Sequence, residues 1–405
     1  MSSQRNINKA AEKRYRDKLN LIREGSIVNF SETNQEKEER INRLKKDWKA
    51  MVEYYFPHYA TSECADFHIQ FAKMVERDPK FKGFAEWGRG LAKSVWVDII
   101  IPFGLWLRGE NVYLVIVGHN ESAAKQLLSD LMAEFEANPR IINDFGEQKQ
   151  IGTWEDGFFI TKSGFIGQAL GMGQSVRGLR VKSQRPNIVI PDDIETKDLV
   201  KNHRRQDEMV KWIEQDLIPT MDGDTRRFIK ANNKFAPRMI QTELQVRHPK
   251  WKIHHIKAYD PTDYTPRWHQ KYDNNYYREI EEEIGSLAAL SEYNNQPHIE
   301  GKIFKDEHIQ WAKPPRIDHF KHLVGHWDIA YAGTSTADYN AVKVWGVKDK
   351  DFWMIDCFLK QSKMRAALEF MCDLQKNLPD GVIIHWRFES QFWNEPFKRL
   401  RMILK

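Results

Sequence analysis

The stretch Trp87-Gly88-Arg89-Gly90-Leu91-Ala92-Lys93-Ser94 constrains the fold more than any other. It follows a short apolar run, Gly83 to Glu86, that reads as a strand, and it precedes what reads as an amphipathic helix. A nucleotide site needs this order. Backbone N–H groups and a helix N-terminus cradle phosphates, a Lys reaches the outer ones, and a Ser hydroxyl holds Mg²⁺. The spelling departs from the usual one: Ala92 stands where a second glycine is expected, and Gly88 is displaced by one position from the first. Taken alone, an ordinary glycine turn before a helix accounts for the segment equally well.

About a hundred residues after Lys93, Asn187-Ile188-Val189-Ile190-Pro191-Asp192-Asp193-Ile194-Glu195 reads as an apolar strand ending in carboxylates. Strand and loop together favour the nucleotide site over a solvated acidic turn. One carboxylate would hold Mg²⁺ through water and the next would activate the attacking water. Asp192 is assigned to the metal and Asp193 to the base, with Glu195 as the competing base. Between the two elements, Gly164 to Gly173 carries too many glycines for a regular element and reads as a hairpin or loop close to a ligand, followed by Arg177-Gly178-Leu179-Arg180. Arg177 would then touch a phosphate; a merely flexible loop is the equal alternative.

At 405 residues the chain exceeds the usual size of one hydrophobic core, so two domains are expected. Its 14 Trp argue against a disordered chain. The net charge of +5 is compatible with a polyanionic partner without requiring one. Cys64, Cys357 and Cys372 lie far apart without metal or disulfide spacing, which suits a reducing cytoplasm. Ile99 to Leu107 is too short to span a bilayer, so no membrane role is expected. Residues 1 to about 50 read as a mobile charged arm followed by a helix, a solvated face. From Phe81 onward, short apolar runs alternate with amphipathic stretches, the pattern of a parallel sheet with crossover helices. Val112–Val117, Ile188–Ile190 and Phe228–Ala231 read as strands, and Ala123–Phe135 and Leu199–Leu217 as helices. Gln296 to Phe320, rich in Pro, Lys and His, reads as a linker. Beyond it, Leu323–Ile329, Ala341–Val347 and Phe352–Phe358 read as strands, Ser362–Leu378 as a helix and Val382–Phe388 as a last strand.

Arg89 to Ser94, then Ser175 to Arg180, then Arg185-Pro186 leading into Asp192-Asp193-Ile194-Glu195, resemble in order and spacing the ATPase of phage large terminase subunits. Trp311 and Pro314 lie in a segment similar to that family's interdomain connection, and His326 to Ala330 through Asp338-Tyr339 resembles the opening of its ribonuclease H-like nuclease. The resemblance runs over roughly residues 55 to 405. It implies an α/β chain: a charged N-terminal arm and helix (1–50), a P-loop ATPase domain of the ASCE/RecA-like kind with a mostly parallel sheet (51–295), a linker (296–320), and an incomplete ribonuclease H-like α/β nuclease domain (321–405). It also implies a viral DNA-packaging motor, an ATP hydrolase and Mg²⁺-dependent endodeoxyribonuclease that drives double-stranded DNA into a procapsid and cuts concatemers. ATP and Mg²⁺ are the implied cofactors, with Mn²⁺ an alternative in the nuclease site. The implied partners are double-stranded DNA, the portal protein, the small terminase subunit and further copies in a ring, in the host cytoplasm and transiently at the portal vertex. A helicase-like ATPase-nuclease of DNA repair and a nuclease-dead DNA- or portal-binding protein are the competing readings.

Carried over by residue, Gly90, Leu91 and Ala92 form the cradle, Lys93 and Ser94 bind phosphate and Mg²⁺, and Arg89 matches an arginine often found inside this loop. Asp193 matches a position that is usually Glu, which leaves the base open between Asp193 and Glu195. Asn232 and Asn233 fall where the family couples hydrolysis to movement, or else form a turn after the strand, and Arg204, Arg205, Arg226 and Arg227 are arginine-finger candidates. A two-metal nuclease needs carboxylates converging from several strands. Asp328, on an apolar strand where a charge is costly without metal or partner, and Glu389, after the last strand, qualify as catalytic metal ligands. Asp338 joins them as a metal ligand or is a turn carboxylate. The family pattern calls for a further Asp well beyond Glu389, yet only 16 residues follow it (405 minus 389). A truncated or shortened chain with impaired nuclease activity is therefore expected.

Overall fold

Apolar residues at every position of a strand, rather than every second one, mark a sheet covered on both faces. Tyr113–Gly118 is buried throughout, and so are Ile188–Pro191 and Arg227–Ala231. In the computed structural model, which describes residues 2–176, 178–297, 311–320, 322–330, 339–349 and 351–388, the chain divides into two compact units, Met1–Glu300 and Gly301–Lys405. The first is built on eight strands: β1 Lys82–Trp87, β2 Tyr113–Gly118, β3 Lys149–Glu155, β4 Phe158–Thr161, β5 Ile166–Gly171, β6 Ile188–Pro191, β7 Arg227–Ala231 and β8 Lys252–Ile256. Their order is β3-β4-β5-β2-β6-β7-β1-β8, parallel from β5 to β8 with an antiparallel pair at the β3 edge. Successive side chains point to opposite faces. Leu114, Ile116, Ile188, Ile190 and Ile229 therefore fill one core, while Tyr113, Val115, Val117, Val189 and Phe228 fill another. The strand leading into the glycine loop, β1, and the strand ending at Asp192, β6, are not neighbours, because β7 lies between them.

Several local expectations differ from the structure. Much of the glycine-rich segment is a strand, β5, whose glycines serve close packing: a Cβ on Gly167 would lie 2.3 Å from the Phe159 ring, and one on Gly171 2.7 Å from the Glu121 nitrogen. The helix after Ser94 is buried rather than amphipathic, and it opens with a π-helical turn, Val95–Ile100, before continuing as Ile101–Leu107. Pro102 has no N–H for the carbonyl one turn back, and widening the helix ahead of it accommodates that loss. The helix expected over Leu199–Leu217 is broken at Asn202, whose side chain accepts from the Arg205 nitrogen to start the helix His203–Trp212. The expected mobile arm is helical, Ser2–Gly25, with Leu19 and Ile22 packed on Ala133 and Ala137 of the helix Glu121–Ala137.

In the second unit, β9 His322–Asp328, β10 Asn340–Lys348, β11 Asp351–Lys360 and β12 Ile384–Phe388 form a sheet of order β11-β10-β9-β12. The first three strands pair antiparallel, and β12 returns parallel to β9 after the helix Met364–Lys376. Trp327, Val342, Ala367, Leu368 and Met371 make one cluster of its core, and Leu323, Val344 and Ile384 another. Buried Asn340 binds Ala330, just after β9, accepting from its nitrogen, and donates to the Ala330 and Ser362 carbonyls. No helix among the described residues is long and apolar enough to cross a membrane.

Candidate functional site

Parallel α/β sheets place their sites at the carboxyl ends of the strands, where loops leave for the helices. At that end of β1, Gly88 donates its N–H to the Ile256 carbonyl, and a Cβ there would lie 1.8 Å from the Tyr293 carbonyl oxygen, so only glycine fits. Gly90 (φ 83°) and Ala92 (φ 57°) are both left-handed. Ala92 thus sits where the usual glycine would, and it takes the backbone conformation that glycine would take. Two side chains from elsewhere in the unit hold the loop. His68 Nε2 lies 2.9 Å from the Leu91 carbonyl oxygen, and the Tyr272 hydroxyl donates to the Gly90 carbonyl at 2.9 Å.

His68 accepts at Nδ1 from the Ala65 nitrogen, which puts its proton on Nε2, donating to Leu91. Burial pushes the imidazole down to about 3, so it stays neutral in this role. It stacks on Trp96, with ring centroids 4.9 Å apart, and meets Trp268 edge-on at 4.7 Å.

Lys93 and Ser94 begin the helix and face β6. Lys93 Nζ lies 2.8 Å from Asp192 Oδ1 and 2.8 Å from Asp193 Oδ1, and Ser94 Oγ donates to Asp192 Oδ2 at 2.5 Å. Asp192 is buried, whereas the Asp193 side chain is 61 % exposed and its backbone is left-handed at φ 44°. Burial alone would lower the Lys93 ammonium, but the two carboxylates outweigh it and hold the group above the usual lysine range. The protein packed around it would raise the Asp193 carboxyl, and the Lys93 charge outweighs that to hold Asp193 below the usual range. Asp98, one turn into the helix, is buried beside Asp192. Burial first, and then the Asp192 charge, raise its carboxyl well above the usual range. Among the described residues neither Asp98 oxygen has a donor to accept from, and a proton on Asp98 would turn its contact with Asp192 into a hydrogen bond.

This donor set fits Mg²⁺. Asp192 and Ser94 offer hard oxygens at one point, the Lys93 ammonium already draws the carboxylates together, and Mg²⁺ asks for only one or two protein ligands beside phosphate and water. Among the described residues no group of three or more His, Cys, Asp or Glu is arranged to hold a metal without such help. A cleft of about 460 Å³ opens over the loop, lined by Gly88 to Trp96, Asp193 and Asn233 together with Tyr59, Trp268, Lys271 and Tyr272.

No family model and no curated protein matches the sequence. Solved structures do. The large terminase of a thermophilic bacteriophage, in complex with ADP, is similar at 10% identity over 84% of this chain and 79% of that one, with a TM-score of 0.37. Another structure of that terminase gives 8% identity, 80% and 82% coverage and 0.35. Its complex with ATP-gamma-S gives 10%, 79% and 76%, and 0.36.

The structure thus brings together Gly90, Leu91, Ala92, Lys93, Ser94, Asp192 and Asp193. Arg89 lies on the loop and lines the cleft, 67 % exposed and 3.5 Å from Glu292. Glu195 is not with them. It is buried, paired with Lys230 at 2.7 Å, and accepts from the Ile240 and Gln241 nitrogens at the start of the helix Ile240–Arg247. Every partner it has is structural, which removes it as competitor for the base. Arg227 is also removed as a finger: it is buried at the amino end of β7, bound to Glu110 and to the Val75 carbonyl, and Arg226 lies beside it. Arg204 and Arg205 are exposed. Asn233 reaches the cleft, donating to Glu292, while buried Asn232 lies behind it. Asp328 ends β9 with its side chain exposed, beside the end of β12, where Phe388 pairs with Trp327. Arg177, Asp338 and Glu389 lie outside the described residues. Sequence reasoning missed His68, Asp98 and Tyr272. Asp98 alone carried a signal, as the one acid in the apolar run Val95 to Leu107.

Proposed function

We propose that the first unit binds and hydrolyses ATP with Mg²⁺, and that the chain uses this hydrolysis to move double-stranded DNA into a viral procapsid. The observation that carries the ATPase reading is Lys93 held between Asp192 and Asp193 at the carboxyl ends of a parallel sheet, with Ser94 on Asp192. The loop N–H groups and Lys93 bind the phosphates. Ser94 and Asp192 hold Mg²⁺, which when bound neutralises charge on the outer phosphates. When Lys93 moves to the phosphates it leaves Asp193 free to orient a water and take its proton. The water oxygen then bonds to the terminal phosphorus as the bond to the ADP oxygen breaks.

The second unit supports a nuclease reading more narrowly. Three antiparallel strands followed by a helix and a parallel return put Asp328 at a strand end, where it would hold Mg²⁺ or Mn²⁺ for phosphodiester cleavage. Work at the portal of a procapsid, in a ring of copies together with a small terminase subunit in the host cytoplasm, belongs to the same proposal.

The test is ATP hydrolysis by the purified chain with and without linear double-stranded DNA, with Mg²⁺-dependent plasmid cleavage scored in the same tubes. DNA-stimulated hydrolysis supports the motor reading. Hydrolysis indifferent to DNA overturns the packaging role while leaving the ATPase, and cleavage that survives Asp328→Asn removes Asp328 from the nuclease.

A further inference from the structure

The phosphate loop is roofed by a part of the chain far from it in sequence. The turn Trp268–Tyr272 closes with the Lys271 and Tyr272 nitrogens donating to the Trp268 carbonyl. It is fastened at both ends: the Trp268 indole N–H donates to the Glu63 carbonyl at 2.8 Å, and the Tyr272 hydroxyl donates to the Gly90 carbonyl at 2.9 Å. Trp268 is buried, and the turn forms a wall of the cleft above the loop. Lys271, between those two anchors, lines the same cleft.

Among the described residues three cations line that cleft, in different states. Lys93 is neutralised by Asp192 and Asp193, and Arg89 faces Glu292. Lys271 has no carboxylate partner among the described residues; its ammonium lies 4.7 Å from the Trp268 ring centroid and 5.1 Å from that of Tyr272. Burial holds that ammonium below the usual lysine range with no opposing charge to restore it. Aromatic faces position a cation while leaving its N–H donors unused. A polyphosphate in the cleft carries more negative charge than the Lys93 ammonium can match, and Lys271 is the cation placed to meet the excess.

We propose that Lys271 is a second phosphate-binding cation of this nucleotide site, delivered in cis by the turn Trp268–Tyr272. The inference rests on the ATP reading above and adds a residue to it. Tyr272 is a positioning residue that ties the turn to the loop, so that turn and loop hold one spacing.

The experiment is equilibrium binding of ATP-γ-S, ADP and adenosine to the full chain, its Lys271→Gln and Lys271→Arg variants, and Lys93→Ala. Lys271→Gln is expected to bind ATP-γ-S about tenfold more weakly, the scale of one charge-assisted hydrogen bond, with adenosine binding within about twofold of the parent. Lys271→Arg is expected to recover most of the loss, and both Lys271 variants to melt with the parent. If Lys271→Gln binds ATP-γ-S like the parent while Lys93→Ala does not, the role of Lys271 is overturned and the nucleotide site stands. An equal loss for adenosine overturns it too, since the residue would then serve the nucleoside. A parent that binds none of the three removes the ATP reading, and this inference with it.

Discussion

Glu195 and Lys230 form an ion pair in which both side chains are completely buried, 2.7 Å apart. Glu195 also receives the first N–H groups of the helix Ile240–Arg247, so it joins the turn after β6, strand β7 and that helix. Removing one partner of such a pair strands a buried charge. Glu195→Ala should lower unfolding stability by about 3–5 kcal/mol, read from denaturant midpoints. Glu195→Gln, assayed where it is fully folded, should keep most of the parent's turnover. A large fall in turnover there would restore Glu195 as the base.

Asp193→Asn separates the two roles. Asp193 is more than half exposed beside Lys93 and takes no part in the core. The variant should fold with near-parental stability, bind nucleotide, and lose about 10²–10⁴-fold in kcat, the range for a general base. Loss of binding with turnover per bound nucleotide intact would place Asp193 in binding instead.

His68 gives the chain an acid sensitivity whose sign follows from its shift. Its usual value of 6.5 falls to about 3 in the fold, so between those values the unfolded chain binds a proton that the folded one does not. Its contribution to stability is complete above pH 6.5 and declines as pH falls toward 3, by about 1.4 kcal/mol for each pH unit. Urea unfolding at pH 7.5 and 5.5 should show that decline in the parent, and a smaller one in His68→Gln. Equal declines would mean that His68 is charged in the fold.

Ala92 tests the loop backbone. At φ 57° alanine is strained by about 1–2 kcal/mol, while glycine is not. Ala92→Gly should therefore bind nucleotide at least as well as the parent. Ala92→Val, β-branched in the same conformation, should weaken binding and lower the melting temperature. A valine variant that binds like the parent would show that the loop does not need this geometry.

What the sequence made legible was local. The strand-loop-helix around Lys93 and the apolar strand before Asp192 declare themselves because burial on both faces leaves a continuous apolar run and phosphate chemistry fixes the residue types. The insertion of β7 between β1 and β6 was not legible, since strand order depends on which helices cover which face. Glu195 looked like Asp193 on paper because both follow one strand; Lys230, arriving on β7, and the start of the helix Ile240–Arg247 separate them. Gly167 looked like loop because its reason for being glycine is the Phe159 ring lying on it. His68 and Tyr272 were hidden for the same reason, since each acts on a backbone carbonyl of the loop from a distant segment.

Calorimetric titration of Mg²⁺ and ATP-γ-S into the full chain and into Lys93→Ala tests the central claim most directly. The account predicts saturable binding by the parent that requires Mg²⁺ for full affinity, and binding weaker by roughly ten- to a hundredfold in the folded variant, the worth of a charge-assisted contact to phosphate. Equal binding by the two proteins, or none by the parent, would contradict it.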